Sequence, residues 1–156
     1  MRYGPLVAVA ENIRSLHNVG SIFRTCDGAG VSHLFLCGYS GFPPRPEIHK
    51  VALGAEEAVA WEHVWHIAPL LAELRQAGYR VVALEREPGD AGTELSAFQP
   101  SWPLALLVGN EVDGLTAAAL RAAHDRISLP MRGTKASLNV AVAFGIAVYR
   151  LMEHRR

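Results

Sequence analysis

The sequence has few of the residues that mark several large classes of protein. Only two of its 156 residues are cysteines, Cys26 and Cys37, which is too few for a disulfide framework or a cysteine-ligated metal site. The longest apolar run, Val140 to Tyr149, is far shorter than the ~18 residues that a membrane span needs. No basic stretch precedes an apolar run near Met1, so we expect no secretory signal. These absences favour a cytoplasmic protein without a membrane segment.

Net charge is also lacking, because fifteen lysines and arginines balance fifteen aspartates and glutamates. The balance excludes a long basic tail or an acidic solvating segment, but it is compatible with a local patch for nucleic acid. Only Lys50 and Lys135 are lysines, and arginine suits bidentate phosphate recognition. With 50% hydrophobic residues the chain can bury a sizeable core, so we expect a single domain over residues 1–156.

The usual fingerprints of nucleotide-binding proteins and hydrolases are missing. No G-x-G-x-x-G motif follows the first apolar run and there is no P-loop, so dinucleotides and nucleoside triphosphates lack their usual cradle. There is no G-x-S-x-G nucleophile elbow either. Of the seven histidines, His63 and His66 lie three apart, without a carboxylate or cysteine at metal-ligand spacing. We therefore expect no metal centre.

Short apolar runs that alternate with helical patterns make up most of the chain. The runs predict strands over Leu6 to Ala10, His33 to Cys37, Arg80 to Leu84, Leu104 to Val108 and Arg126 to Leu129. The 3.6-residue period and the capping residues predict helices over Asn18 to Gly30, Ile67 to Ala77, Thr116 to His124 and from Ser137 onward. This alternation is typical of an α/β domain with a mostly parallel sheet and helices on both faces.

The last predicted helix has an unusual composition. From Leu138 to Tyr149 it is apolar nearly all round, with Asn139 as the exception. A helix without a polar face must be buried on every side, and a chain of this length has little else to cover it. The pattern therefore predicts burial against a second subunit in a homodimer.

The first polar constellation is Asn18-Val-Gly-Ser-Ile-Phe-Arg24. Asn18 stands where the helix is expected to begin, and Gly20, Arg24, Asp27 and Gly28 share one helical face. Two glycines beside an arginine suggest a cleft rather than a packed surface. The simpler interpretation, which the spacing favours slightly, is an N-cap at Asn18 and a surface ion pair between Arg24 and Asp27.

The second constellation, Val108-Gly-Asn-Glu111-Val-Asp-Gly114, follows a strand, where open α/β sheets place their ligands. A strand that ends in Gly109 lets a ligand approach the backbone closely, and Glu111 then stands at the edge of the sheet. An ordinary strand-to-helix turn explains the same residues equally well.

The third constellation is Leu129-Pro-Met131-Arg-Gly-Thr-Lys-Ala-Ser137-Leu-Asn139. Ser137 is placed as the N-cap of the last helix, so Asn139 falls in the first turn of a buried helix. A buried amide needs a hydrogen-bond partner, which is either structural or a ligand.

Taken together in this order and spacing, the three constellations resemble the three motifs of the SPOUT superfamily, in its SpoU (TrmH-like) branch of RNA ribose 2′-O-methyltransferases. The resemblance extends from about Leu6 to Met152. One position departs from the family pattern: Val112 stands where these enzymes usually have glycine after the glutamate, which suggests a narrower substrate side of the pocket.

The resemblance implies an α/β domain with a deep C-terminal trefoil knot, S-adenosylmethionine bound in that knot, no metal, and a homodimer with the site near the subunit boundary. It implies catalytic or supporting roles for Arg24, Asn18, Glu111, Ser137 and Asn139. It implies cofactor contacts, largely through backbone atoms, at Leu84, Gly109, Asn110, Leu129, Met131 and Leu138. The candidate RNA contacts are the loop residues Arg14, Arg45, Arg132 and Lys135, each of which is explained equally well as a solvated surface charge.

The implied reaction transfers a methyl group from S-adenosylmethionine to a ribose 2′-hydroxyl of tRNA or rRNA. Because the first predicted strand begins close to Met1, we expect no additional RNA-binding domain, so the dimer itself reads the RNA. Two other functions compete: a non-catalytic RNA-binding protein with the same fold, and an α/β enzyme that uses another nucleotide cofactor. Intact Arg24, Glu111 and Asn139 disfavour the first, and the missing glycine fingerprint disfavours the second.

Overall fold

The computed structural model describes residues 1–85 and 92–155. Its strands are β1 (Leu6–Glu11), β2 (His33–Cys37), β3 (Trp61–Val64), β4 (Arg80–Leu84), β5 (Thr93–Glu94), β6 (Leu104–Val108) and β7 (Asp125–Ser128). Its helices are α1 (Leu16–Ala29), α2 (Pro46–Ala52), α3 (Ala55–Ala58), α4 (Ile67–Gln76), α5 (Ala117–Ala122) and α6 (Val140–Met152). Within these ranges no helix has both the length and the apolar character that crossing a membrane requires.

The described strands form one parallel sheet in the order β3-β2-β1-β6-β4-β7-β5. The central strands β1 and β6 are buried along their whole length, as continuous apolar runs in parallel sheets are. One core lies under α1, α2 and α6, and a second lies under α4 and α5. The predicted α/β class, with a parallel sheet and helices on both faces, is therefore confirmed.

The two cysteines are buried in this core and are free thiols. Cys26 lies in α1 and Cys37 ends β2. Burial, together with the nearby Glu11 carboxylate, raises the pKa of the Cys37 thiol to about 12. Both are therefore small core residues.

Both predicted helix starts in the motifs are displaced, by three residues toward the N-terminus in α1 and by two residues toward the C-terminus in α6. Ser15, not Asn18, is the N-cap of α1, and its side chain accepts a hydrogen bond from the Asn18 N–H. Asn139, not Ser137, is the N-cap of α6, because its Oδ1 accepts from the N–H groups of Ala141 and Val142. Asn and Ser are almost equally good caps, so residue preference alone could not separate these positions.

Gly20 does not leave the open cleft that the sequence suggests. A Cβ atom at this position would lie 2.8 Å from the carbonyl oxygen of Ile48 and 2.9 Å from Cβ of Val51. The glycine therefore permits close packing of α1 on α2. Gly28 does not leave open space either, because an added Cβ there would lie 2.8 Å from the hydroxyl oxygen of Tyr149.

One face of α6 is exposed, so the helix is not buried on every side within one chain. Residues at helical spacing present this face, and Leu138 extends it just before the helix begins. Their exposed fractions are 39% for Leu138, 52% for Val142, 45% for Ile146 and 53% for Tyr149. We call these four residues the apolar stripe. The opposite face, with Phe144, Ala147, Val148 and Leu151, packs into the core.

Candidate active site

A cavity of about 420 Å³ opens at the carboxyl ends of β4, β6 and β7. This is the edge of the sheet where parallel α/β domains bind their ligands, and the volume lies within the range of small-molecule sites. Its lining includes all six residues expected to contact the cofactor: Leu84, Gly109, Asn110, Leu129, Met131 and Leu138. The remaining lining residues are Glu85, Val108, Glu111, Asp113, Gly114, Ala136, Ser137, Val140 and Ala143.

The space beside Gly109 is filled by the chain itself. A Cβ at Gly109 would lie 2.4 Å from the carbonyl carbon of Gly114 and 2.4 Å from the nitrogen of Leu115. The glycine is therefore required by the turn from Asn110 to Gly114, whose ends pair as an antiparallel bridge. The expectation that a ligand occupies this space is wrong, although the backbone of Gly109 does line the cavity.

Asn110 lines the cavity, but its polar groups already serve the fold. Its Nδ2 donates to the carbonyl oxygen of Asn12 and to the Tyr39 hydroxyl, both at 2.8 Å. Its Oδ1 accepts from the N–H groups of Val112 and Asp113, also at 2.8 Å. Its own N–H donates to Gly114. Asn110 therefore shapes the cavity wall, and its side chain has no donor left for a ligand.

The carboxylate of Glu111 binds the start of α1. Its Oε1 accepts from the Arg14 N–H at 2.9 Å, and its Oε2 accepts from the Ser15 N–H at 2.9 Å and from Asn18 Nδ2 at 3.0 Å. Burial alone would raise the pKa of Glu111, but these hydrogen bonds outweigh it and leave the pKa below its ordinary value. Glu111 is therefore held as an anion at a helix N-terminus.

Asn18 joins all three motifs. Its Oδ1 accepts a hydrogen bond from Asn139 Nδ2 at 3.1 Å, while its own Nδ2 donates to Glu111. Asn18 is buried, as a side chain with two dedicated partners should be. Asn139 itself is exposed, so the expectation of a buried amide holds for Asn18 instead. We call Glu111, Asn18 and Asn139 the motif junction.

Ser137 and Arg24 stand outside this junction. Ser137 lines the cavity. Arg24 is exposed and is not among the lining residues. In residues 1–85 and 92–155 its guanidinium has no hydrogen-bond or ion-pair partner, so the expected surface pair with Asp27 does not form. Arg24 lies near the apolar stripe, because Gly28, one turn further along α1, lies against Tyr149.

Three further residues differ from what the sequence predicts for the cavity. Val112 is 64% exposed and does not line the cavity, so it does not narrow the pocket as expected. Glu85 and Asp113 do line it and were not predicted. Their position after β4 and β6 is the available signal, since ligands bind where parallel strands end.

The four basic residues expected to contact RNA are all exposed, but they lie in different places. Arg14 is next to the motif junction, because its N–H binds Glu111. Arg132 and Lys135 belong to the loop whose Met131 and Ala136 line the cavity. Arg45 is the N-cap residue of α2, and its Nε lies 3.6 Å from a carboxylate oxygen of Glu47. None of the four lines the cavity, although Arg132 and Lys135 are next in sequence to lining residues and the backbone of Arg14 binds one.

Comparison with known families now places the molecule. The model of the SpoU rRNA Methylase family matches residues 5–149. The chain belongs to the SpoU rRNA methylase family. The family that the resemblance indicated is thereby confirmed.

Relatives of the SpoU family support this assignment. The chain is 31% identical over 151 residues to the 23S rRNA (guanosine-2′-O-)-methyltransferase RlmB of Vibrio parahaemolyticus, which covers 97% of the chain and 60% of that protein. It is 31% identical over 157 residues to the tRNA (guanosine(18)-2′-O)-methyltransferase of Aquifex aeolicus, with 99% of the chain and 72% of the relative covered. The chain therefore spans about 60% of the length of the Vibrio relative.

A solved structure of an rRNA methyltransferase has the same architecture. The AdoMet-bound rRNA methyltransferase from Sinorhizobium meliloti superimposes with a TM-score of 0.88 at 27% identity, over 99% of this chain and 58% of that one. In the part of our chain that is described, no group of three or more His, Cys, Asp or Glu side chains is placed to hold a metal ion.

We predict that Glu111→Gln lowers the free energy of unfolding at pH 7 by about 1–3 kcal/mol, because the new amide turns a donor toward the donors of α1. The folded pKa lies below the ordinary value of 4.5, so the carboxylate contributes stability above that value and loses it as the pH falls through the folded pKa. Urea unfolding from pH 7 downward should show the two proteins converging.

The control is Asp113→Asn, a neighbouring exposed carboxylate whose oxygens accept no hydrogen bond from any described residue. It should leave stability at pH 7 unchanged. Equal losses in the two variants would contradict a specific role for Glu111.

Proposed function

We propose that the protein is an S-adenosylmethionine-dependent RNA methyltransferase that modifies a ribose 2′-hydroxyl. The observation that carries the proposal is that residues of the second and third SpoU motifs line one cavity, while the first motif is joined to them through the motif junction. Relatives of equal identity are named for 23S rRNA and for tRNA, so both remain candidate substrates. An RNA-modifying enzyme works where its substrates are, which supports a cytoplasmic location.

The cavity suits S-adenosylmethionine in shape and charge. Leu84, Leu129, Met131 and Leu138 offer apolar surface for an adenine ring, and Glu85 and Asp113 supply negative charge near a cationic ligand. Residues at or just after the ends of β4, β6 and β7 line the space together, which also supports our proposal that the C-terminal part of the chain forms the family's trefoil knot. When bound, the cofactor supplies a sulfonium-linked methyl group as the electrophile.

Methyl transfer forms a bond from the ribose oxygen to the methyl carbon, breaks the bond from that carbon to sulfur, and releases the hydroxyl proton. The cavity walls must hold the oxygen, carbon and sulfur in line, and such positioning supplies much of the rate. Glu111 is a poor proton acceptor here, because both of its oxygens already accept hydrogen bonds. Ser137 lies at the cavity and can contact the ribose.

Arg24 is the remaining motif residue, and we propose that it acts on the ribose or its phosphate. An arginine held as a free cation suits phosphate binding and polarisation of a hydroxyl. It stands beside the apolar stripe, whose first member, Leu138, also lines the cavity. A homodimer formed through the stripe would bury these apolar side chains and place Arg24 at the subunit boundary next to a cavity. The resulting dimer would read RNA with the loops around the cavity.

We predict that Arg24→Ala lowers methyl transfer by about a hundredfold or more while the affinity for S-adenosylmethionine and the melting temperature barely change. The guanidinium has no partner within the described chain to lose, and it lies outside the cavity. Nucleoside mass spectrometry of tRNA and rRNA treated with the protein measures the 2′-O-methyl product, and calorimetry measures cofactor binding.

Arg24→Lys serves as the matched variant, because lysine keeps the charge and loses the planar fork. Substantial activity in this variant would indicate a purely electrostatic role. Turnover near that of the wild type in Arg24→Ala would refute the catalytic assignment. RNA binding without any methyl transfer by the wild type would favour the non-catalytic alternative, and tighter binding of NAD or ATP would favour another cofactor.

We also predict that the wild-type protein at micromolar concentration scatters light with about twice the chain mass, whereas Ile146→Glu is monomeric. A charge in the centre of the apolar stripe leaves an unpaired, desolvated group in the interface. Leu53→Glu, at a residue 64% exposed just after α2, is the control and should remain dimeric. A monomeric wild-type protein would contradict the proposed homodimer.

A further inference from the structure

A row of aromatic rings lies outside the cavity and has no part in the proposed methyl transfer. Trp61 and His63 are two residues apart on β3, and Trp65, the residue after the strand, continues the same spacing. Their side chains therefore lie on the same face of the sheet. Phe42, in the loop before α2, lies over His63 with ring centroids 4.3 Å apart and planes 33° apart. Trp65 meets His63 edge-on, at a centroid distance of 4.5 Å.

The row is anchored on one side and exposed on the other. Trp61 packs edge-on against Phe23, which is fully buried in the core, with ring centroids 6.2 Å apart. His63 Nε2 lies 2.7 Å from the carbonyl oxygen of Gly38, which fixes the orientation of its ring. Trp65 is nevertheless 67% exposed and Phe42 is 39% exposed. The rings are thus held in place while their outer surfaces face solvent. We call Phe42, His63 and Trp65 the aromatic platform.

The aromatic platform lies along the same edge of the sheet as the cavity. Strands β6, β1, β2 and β3 are neighbours and all end there, so three strand spacings, or about 14 Å, separate the strand at the cavity from the strand of the platform. Tyr39 stands between them, because its hydroxyl accepts from Asn110 at the cavity wall and 54% of its surface is exposed. A ligand chain that enters the cavity can therefore continue along this edge.

We propose that the aromatic platform stacks an unpaired nucleobase of the RNA whose nearby ribose lies at the cavity. Exposed aromatic rings are the usual means of holding bases of single-stranded RNA, since every base has a flat face to stack. Arg45, three residues after Phe42, is half-exposed and can meet the adjoining phosphate. The exposed area of two rings is far smaller than the ~800 Å² per partner that a stable protein interface buries, but it is similar to the flat surface of a single base.

This inference relies on the proposed function for the choice of RNA as ligand, and it can be tested without methyl transfer. The probe is a single-stranded RNA oligonucleotide bound by the full chain, with a duplex of the same length for comparison. Trp65→Ala should weaken single-strand binding about tenfold or more, the effect of losing one stacked base. Trp65→Phe should retain the affinity because it retains a ring, and Leu53→Ala, an exposed apolar residue away from the row, should change nothing.

Intrinsic fluorescence adds a local readout. Single-stranded RNA should quench the emission of the wild type, and Trp65→Phe should bind with much less quenching because Trp61 and Trp102 are less exposed. Arg45→Ala should reduce the salt dependence of binding by about one phosphate contact, whereas Trp65→Ala should leave that slope unchanged.

The outcomes separate this proposal from the proposed function. Wild-type affinity in Trp65→Ala and Phe42→Ala overturns the aromatic platform and leaves the methyltransferase proposal standing; a platform that binds another protein gives this result. Loss of binding in those variants together with an inactive wild type supports the platform and overturns the methyltransferase proposal. Failure of the wild type to bind RNA overturns both.

Discussion

The carboxylate of Glu111 fixes the geometry of the site, because it ties the turn after β6 to the start of α1. Three donors converge on its two oxygens, two from the backbone before α1 and one from Asn18. Asn18 then reaches Asn139, which caps α6. Three side chains thereby hold together the turn after β6, the start of α1 and the start of α6, which are far apart in the sequence.

A second glutamate at this edge of the sheet also binds the start of a helix. Glu11, at the end of β1 and only 4% exposed, accepts hydrogen bonds from the N–H and the hydroxyl of Thr116, the N-cap of α5. The first N–H groups of a helix have no partner within the helix, and a carboxylate there also meets the positive end of the helix dipole. Each of these glutamates therefore satisfies donors that would otherwise be left without partners near the core.

Much of the fold could be predicted from the sequence, because parallel strands buried on both faces read as continuous apolar runs. β3 was missed because Glu62 and His63 interrupt its pattern, and α2 because prolines before Pro46 suggest a loop. The six residues that the family resemblance assigns to the cofactor line one cavity, and their contact with the cofactor stays a prediction.

Individual roles were harder to predict. Gly20 and Gly109 have the local sequence of glycines that admit a ligand, yet each admits backbone or side-chain atoms of the chain itself. Tertiary packing decides whether a glycine makes room for a ligand or for the chain itself, and the local sequence does not show which of these applies. The exposed apolar stripe on α6 could be predicted more directly, because the sequence itself shows more apolar residues on this helix than one chain can bury.

We infer that the motif junction holds the cavity in the geometry that binds S-adenosylmethionine. The most direct measurement is the dissociation constant for S-adenosylmethionine of Asn18→Ala, determined by calorimetry beside Arg24→Ala on the same helix. Asn18 does not line the cavity, so its effect must pass through Glu111 and Asn139. The account predicts binding about tenfold weaker in Asn18→Ala, roughly the net value of one or two hydrogen bonds to charged or amide partners, and unchanged binding in Arg24→Ala. Unchanged affinity in a folded Asn18→Ala protein would contradict it.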